Sequence, residues 1–550
     1  MRPFASLALC FALTYPATCR AQDQTLDVVH RIKTEAFDNS KVMDTLCYLT
    51  DLNGPRLTGS PEFEQAANWA MSELKEFGVA NVHAENWGTF GRSWSLERFT
   101  LDMTTPRYSH LVAAPMPWTE PTKGVQSGDV TLASFRMERW WRVAQNREAI
   151  ERYKQQWKGK LKDKIILLSD LPEPKPTEQP LFHRYSDAEL ADLAKSPEPA
   201  IKRNVPIEQL DVPADPEAAE RYLDNLPNST MDELWDQVQA TFGDLWRFFR
   251  DEGVRAVIRG DDRAHNGLVF AEGLDALRSS HPMAVPTFVV TQEQYSRMVR
   301  ILQKKQPVGL RFELNAKTSD RDVQAFNVIG EIPGRKKPDE VVMIGAHFDS
   351  WASGTGATDN GAGSAVMLEV MRILKTLDLK MDRTVRIALW SGEEEGLLGS
   401  RAYVKEHFGD AKTMQLKPEH EKFDAYLNLD NGSGKIRGVY LEGNDAARPW
   451  FQEMFQPFQD LGVSTVTLKH TGGTDHLSFD DVGLPGFQFI QDPLDYYPVT
   501  HHSDMDTYSH AVPEDLMQAS AIIAALTYEI ANREQMFPRK SPSVVPAASK

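Results

Sequence analysis

VVMIGAHFDSWASGTGATDNGAGSAVMLEVMRILKTLDLKMDRTVRIALWSGEEEGLLGS, residues 341–400, decides the fold. Its two short apolar runs, Val341–Ala346 and Thr384–Trp390, have the length and β-branched content of buried strands. Each breaks off into side chains that bind metals or move protons: His347 and Asp349 after the first, Glu393 and Glu394 after the second. Between them, Asp359-Asn360-Gly361 opens a helix whose apolar residues (Val366, Val370, Ile373, Leu374, Leu377) recur at helical spacing. Open α/β sheets bind ligands outside the carboxyl ends of their strands, which is where these reactive side chains fall.

Outward from this stretch the α/β pattern continues. Further strands are expected at Phe326–Ile332, Ala425–Leu429, Gly438–Leu441 and Gly486–Ile490, with helices at Ala447–Leu461 and Pro513–Asn532. Upstream, the turn Gly54–Ser60 precedes a helix, Pro61–Phe77, and two alternating runs, Val82–Trp87 and Ser95–Met103, read as strands. The character changes from residue 111 to 318. Short apolar runs (Lys164–Leu168, Val254–Ile258, Pro286–Val290) lie among a Trp/Arg-rich stretch and a Pro/Glu/Asp-rich stretch, Pro172–Pro227, read as an irregular excursion or a pair of short surface helices. This divides the chain into a discontinuous catalytic domain, 22–110 and 319–535, an inserted domain, 111–318, and a loose tail, 536–550.

The chain has 550 residues, which fits two or three domains, and a formal net charge of −17, which disfavours nucleic acid and anionic membrane surfaces as partners. Arg2, an apolar run from Phe4 to Ala17 and Cys19-Arg20-Ala21 have the layout of a signal peptide, residues 1–21, cleaved after Ala21. The expected location is therefore secreted or periplasmic. Cleavage leaves Cys47 as the one cysteine, which excludes an internal disulfide and a cysteine-rich metal site. No later stretch reaches the roughly 18 apolar residues of a membrane span.

Taken singly, the polar residues at the strand ends are ordinary: a His-x-Asp turn, an acidic loop, an Asp-Asn-Gly helix cap. Taken together, His347, Asp359, Glu394, Asp430 and His502 bring imidazoles and carboxylates to one sheet edge. Such a donor set suits a pair of Zn²⁺ ions sharing a carboxylate bridge. The adjacent Glu393 and Glu394 allow one to be a ligand and the other a proton acceptor. No serine or cysteine nucleophile is required.

These motifs resemble the co-catalytic zinc exopeptidase family, which includes zinc aminopeptidases, glutamate carboxypeptidases, glutaminyl cyclases and the metal-free transferrin receptor. The matching pieces are Ala346–Ser350, Asp359–Gly363, Gly392–Ser400, Asn428-Leu429-Asp430 and His502–Thr507, in the family's order. The resemblance implies a mixed, mainly parallel sheet flanked by helices. It implies two Zn²⁺ per chain: His347 and Asp430 on one, Glu394 and His502 on the other, Asp359 bridging. It implies that Glu393 is the general base, that Asp349 fixes the tautomer of His347, and that Asp506 and Thr507 order the His502 loop. Asp475 and His476 resemble a segment that contacts substrate. Region 111–318 resembles a mainly β protease-associated domain, expected to cover the cleft. The implied function is peptide hydrolysis by an aminopeptidase or dipeptidase. The alternatives are a carboxypeptidase of the same family, then a single-zinc glutaminyl cyclase, then a metal-free binding protein of the receptor kind.

Overall fold

The computed structural model describes residues 17–195, 226–273 and 278–540, with isolated positions between 207 and 223; side chains are described from residue 26 onward, those of 228 and 265 excepted. The expected leader, 1–21, lies largely outside the described residues, and the first helix, Ala17–Asp38, runs across its downstream end. Among the described residues no helix is long and apolar enough to cross a membrane.

One continuous sheet organises the molecule. Its catalytic half runs, in spatial order, Thr465–Thr467, Ile436–Tyr440, Gly486–Gln491, Phe423–Asn428, Lys337–His347, Arg383–Trp390 and Gly309–Ile332. The four central strands of this half, Gly486–Gln491 to Arg383–Trp390, are mutually parallel. They are buried nearly throughout their apolar runs, as strands covered on both faces must be. Helices Ala362–Thr376 and Pro513–Asn532 cover one face, packing Val366, Val370, Ile373, Ile522, Ile523 and Leu526 onto Val342, Ile344, Ile387 and Leu427. Trp390, Tyr403, Tyr426 and Phe479 build an aromatic layer on the other. A mixed sheet of mainly parallel strands flanked by helices is thus what the chain forms.

The expected strands at 82–87 and 95–103 are one long strand, Ala80–Thr105, and the one at 326–332 is the end of another, Gly309–Ile332. The two pair antiparallel from Ala80 opposite Glu331 to Thr105 opposite Gly309. The polar middle, around Gly88–Ser93 and Thr318–Gln324, reads as loop because alternation fails there. Cross-strand hydrogen bonds nevertheless hold it as a ribbon, with register shifts at Asn86/Gly88, Thr89/Gly91 and Arg92/Trp94 taking up the irregularity. The ribbon links the catalytic half to a second half in the order Gln126–Phe135, Ile165–Ser169, Ala256–Arg259, Thr287–Val290 and Ala113–Pro115. That second half, within 111–318, also carries long helices, Val143–Trp157 and Asn228–Asp251. The aromatic residues near 140 and 246 pack within this region, Trp140 stacking on Trp235 and Trp246 against Phe249.

The chain just past residue 535, expected to be loose, is packed as far as Lys540. Phe537 is buried against Trp450, Phe451 and Phe487. Its N–H donates to Asp424 at 2.7 Å, and Arg539 donates to the carbonyls of His420 and Phe423. Proline and serine dominate the surrounding composition and conceal this anchor. Phe537→Ala should lower unfolding free energy by about 3–5 kcal/mol, the usual cost of truncating a buried phenylalanine, as measured by denaturant titration.

Candidate metal centre

Strand register sets the site. His347 ends its strand opposite Trp390, and Asn428 lies opposite both Gly345 and Gln488, so the parallel strands stop at a common level. Past that level the chain delivers His347, Glu393, Glu394 and Asp430. His502 arrives from the loop after Gly486–Gln491, and Asp359 from the turn before the Ala362–Thr376 helix. That turn is tied down at several points. Asn360 accepts from the Gly363 N–H at 2.9 Å and donates to the carbonyl of Leu429 at 2.9 Å, joining it to the strand end that bears Asp430. A Cβ on Gly363 would lie 2.4 Å from both the Asn360 side chain and the Leu429 carbonyl, so only glycine fits.

Asp359 stands between the two histidines. Its Oδ1 is 3.2 Å from His347 Nε2, and its Oδ2 is 3.3 Å from His502 Nε2. Asp430 Oδ1 is 3.5 Å from His347 Nε2, and Glu394 Oε2 is 3.2 Å from His502 Nε2. All five ligand candidates therefore come together as two donor groups sharing one carboxylate. His501, stacked on His502 at 3.7 Å between ring centroids, lies 4.0 Å from Asp359 Oδ2 and is a further donor near the second group.

The electrostatics are those of acids crowded out of water. Burial raises the Glu394 carboxyl to about 8, and the charge of Asp359 pushes the same way. Burial also raises Glu393, with Asp430, Asp475 and Glu394 adding to the effect against His347. Burial alone would raise Asp359, but the adjoining His347 ring and the charges of His502 and His501 bring it down. His347 and His502 are held well above the ordinary imidazole value, since neighbouring carboxylates outweigh burial. Burial and the charge of His502 lower His501 to about 4. Such a cluster needs positive charge at its centre.

The residues fit metal ions on a direct observation. His347 Nε2, Asp359 Oδ2 and Glu394 Oε1 are buried, and no hydrogen bond satisfies them. Imidazole nitrogen with carboxylate oxygen is also the donor chemistry that zinc takes.

Around the cluster, Asp349 lies differently from expectation. Its carboxylate is 3.7 Å from His347 Nδ1, beyond hydrogen-bond length, while its backbone carbonyl lies 3.2 Å from that nitrogen. The carboxylate instead accepts from Thr58 Oγ1 at 2.9 Å and from the Glu394 N–H at 3.3 Å. Asp506 reaches across to a neighbouring turn. It accepts from Thr358 N–H (2.6 Å), Thr358 Oγ1 (2.8 Å) and Asp359 N–H (3.1 Å), tying the loop that carries His502 to the turn that carries the shared carboxylate. His476 corrects a second expectation. It is fully buried with Nε2 3.3 Å from Glu442 Oε1, in a group that also includes His470, so it faces no substrate. Asp475 is likewise fully buried, within charge reach of Glu393 and Asp430; burial raises it to about 7.

Three residues escaped the sequence reading. Arg56, inside the Gly54–Ser60 turn, is wholly buried and donates to the carbonyls of Phe348 (2.7 Å), Leu49 (2.9 Å), Thr355 (3.0 Å) and Gly356 (2.8 Å). Burial lowers its guanidinium to about 10, against the charges of Asp506, Asp349, Asp359 and Glu394. Thr58 accepts from the Gly392 N–H at 2.9 Å while donating to Asp349, linking the two strand-end loops. Glu272 lies 3.1 Å from His502 Nδ1. The stretch containing Arg56 and Thr58 was visible only as a turn; Glu272, 230 positions from its partner, left no signal in any spacing.

Comparison with known proteins bears on this cluster. Residues 327–527 match the model of peptidase family M28, and the match contains every ligand candidate. Carboxypeptidase Q of Rattus norvegicus is 32% identical over 255 residues, 46% of this chain and 52% of that protein. Aminopeptidase YwaD of Bacillus subtilis (strain 168) is 30% identical over 213 residues, 38% of this chain and 45% of that one. The matched stretch thus spans about half the length of these curated relatives. Among solved structures, a peptidase M28 precursor from Shewanella amazonensis SB2B superposes with a TM-score of 0.64 at 23% identity, covering 94% of this chain and 99% of that one. BSAP, a zinc aminopeptidase from Bacillus subtilis, does so with a TM-score of 0.52 at 18% identity, covering 90% and 95%. The segment that matches peptidase family M28 is thus the one that supplies the parallel strands and the whole donor cluster at their carboxyl ends.

Proposed function

We propose that this protein is a two-zinc exopeptidase, and that it removes residues from the amino ends of peptides or splits dipeptides. The observation that carries the reading is the Asp359 carboxylate, with one oxygen toward the His347/Asp430 group and the other toward the His502/Glu394 group. His347 and Asp430 would hold one ion, His502 and Glu394 the other, and Asp359 both. When bound, the zinc ions supply Lewis acidity at the scissile carbonyl and at the attacking water.

The remaining work falls to the chain. Glu393 is the carboxylate next to a ligand that is left free to move protons. Burial and the charges of Asp430, Asp475 and Glu394 raise its affinity for a proton, so it is suited to accept one from the attacking water and pass it to the leaving nitrogen. His347 Nδ1–H donates to the carbonyl of Asp349, which leaves Nε2 as the ligand atom. Thr58 and Arg56 hold the loops that present His347, Asp349 and Glu394 at fixed separation.

A division into a peptidase domain (22–110 and 319–535) and a protease-associated-like lobe (111–318) that covers the cleft accompanies this reading. It is supported by contact between the lobe's Glu272 and His502. Action outside the cytoplasm is supported by the Arg2, Phe4–Ala17 and Ala21 pattern. Similarity to carboxypeptidase Q favours a second reading, attack from the carboxyl end.

Assays on free-amino and N-blocked dipeptides and aminoacyl anilides separate the two. Cleavage confined to free-amino substrates is expected; cleavage of N-blocked peptides would replace this reading with the carboxypeptidase one. Activity that survives removal of metal by a chelator would overturn the two-zinc mechanism. Glu393→Gln should retain bound zinc yet lose about 10²–10⁴-fold in kcat, the usual worth of a general base. Thr58→Val leaves the buried Asp349 carboxylate and the Gly392 N–H each short of a partner. Thermal and denaturant unfolding of the metal-free protein should then show a loss of about 1–3 kcal/mol.

A further inference from the structure

We infer that the 111–318 lobe completes the second metal position: Glu272, anchored by Arg263, is a positioning residue that fixes the ring of His502, so that docking of the lobe and metal binding at Glu394/His502 are coupled. This rests on the two-zinc reading above.

The two histidines are supported in different ways. His347 Nδ1 faces the carbonyl of Asp349, two residues away on the same turn. His502 Nδ1 faces Glu272 Oε1 at 3.1 Å, a carboxylate from the other half of the molecule. A carboxylate only accepts, so Nδ1 carries the proton, and Nε2, which faces Asp359 and Glu394, is the atom left for a metal ion. Carboxylate partners of this kind orient ligating imidazoles and raise their basicity.

Glu272 is itself held. Arg263 Nη2 donates to the same oxygen at 2.9 Å, and Arg263 also makes a two-pronged pair with Asp261, at 3.0 Å from Nε and 3.0 Å from Nη2. The guanidinium lies over the Phe270 ring, 4.5 Å from its centroid. The backbone joins in. Phe270 forms an antiparallel bridge with Ser503, the Val269 N–H donates to Asp504 Oδ1 at 2.9 Å, and the Asp504 N–H donates to the Val269 carbonyl at 2.9 Å. His502 sits between these contacts at φ 63°, a left-handed conformation few side chains adopt unless their surroundings hold it. Beyond Glu272, a Cβ on Gly273 would fall 2.3 Å from Trp118 and 2.8 Å from Trp351, and Trp351 packs edge-on against the His502 ring. The lobe thus contributes both the partner of Nδ1 and the segment that pins the loop. Coupling of this kind is reciprocal: whatever the lobe adds to metal affinity, metal adds to lobe docking.

The test uses the full chain and zinc itself. Competition with a chromophoric chelator should give two binding steps for the wild type. In Glu272→Ala one step should weaken by about 10–100-fold while the other is unchanged, and Glu272→Gln, which keeps an acceptor, should fall between. Hydrogen exchange of residues 268–272 should slow on zinc addition in the wild type, and less so in Glu272→Ala. Arg263→Lys, which loses the two-pronged anchor, should weaken the same step in a protein with an intact glutamate. Two wild-type steps left unaltered in Glu272→Ala, Glu272→Gln and Arg263→Lys would overturn the coupling and leave the two-zinc reading standing. A wild type that binds fewer than two zinc ions would overturn both.

Discussion

A carboxylate held out of water between two imidazoles is the constraint on which this structure turns. Asp359 puts one oxygen toward each histidine, and Asp430 and Glu394 crowd around it. Acids buried at this density repel one another and lose their hydration, and they persist only where surrounding groups hold them and positive charge can enter. Much of the nearby architecture does the holding. Asp506 accepts the backbone N–H groups of Thr358 and Asp359, Asn360 ties the same turn to the Leu429 carbonyl, and Arg56 spends its guanidinium donors on four carbonyls around the His347 and Thr355 loops.

The sheet makes this arrangement affordable. Parallel strands packed on both faces stop at a common level, so side chains just beyond them converge without needing a long loop each. Asp359 and His502 come from longer excursions, and His502 takes its support from the other half of the molecule. Its loop pairs with residues 268–272, and Glu272 meets its outer nitrogen. The ribbon Ala80–Thr105/Gly309–Ile332 is what carries the second half of the sheet within reach.

How much of this was legible before the structure follows from the range of each interaction. The strand at 341–347 declares itself because a fully buried strand is a short continuous apolar run. Ligand candidates that follow strands directly, His347, Glu394 and Asp430, inherit that visibility. Asp506 was noticed through its motif without its partners at Thr358 and Asp359, since a sequence shows that a carboxylate is present and not which N–H it reaches. His476 misled for the same reason: its neighbour in the chain lies beside the site, but its own ring turns to Glu442. The ribbon was split because its middle lacks alternation, and only a pairing partner more than 200 residues away satisfies its backbone.

Local covalent spacing and apolar periodicity, which any stretch of chain carries within itself, therefore determined the parallel strands, the helix after Asp359 and the donor residues at the strand ends. Tertiary structure alone decided which oxygen faces which nitrogen, that Phe537 closes the core against Trp450 and Phe487, and that Glu272 stands behind His502. Those contacts join segments tens to hundreds of residues apart, and their energies depend on burial and angle, quantities that exist only once the chain has closed on itself.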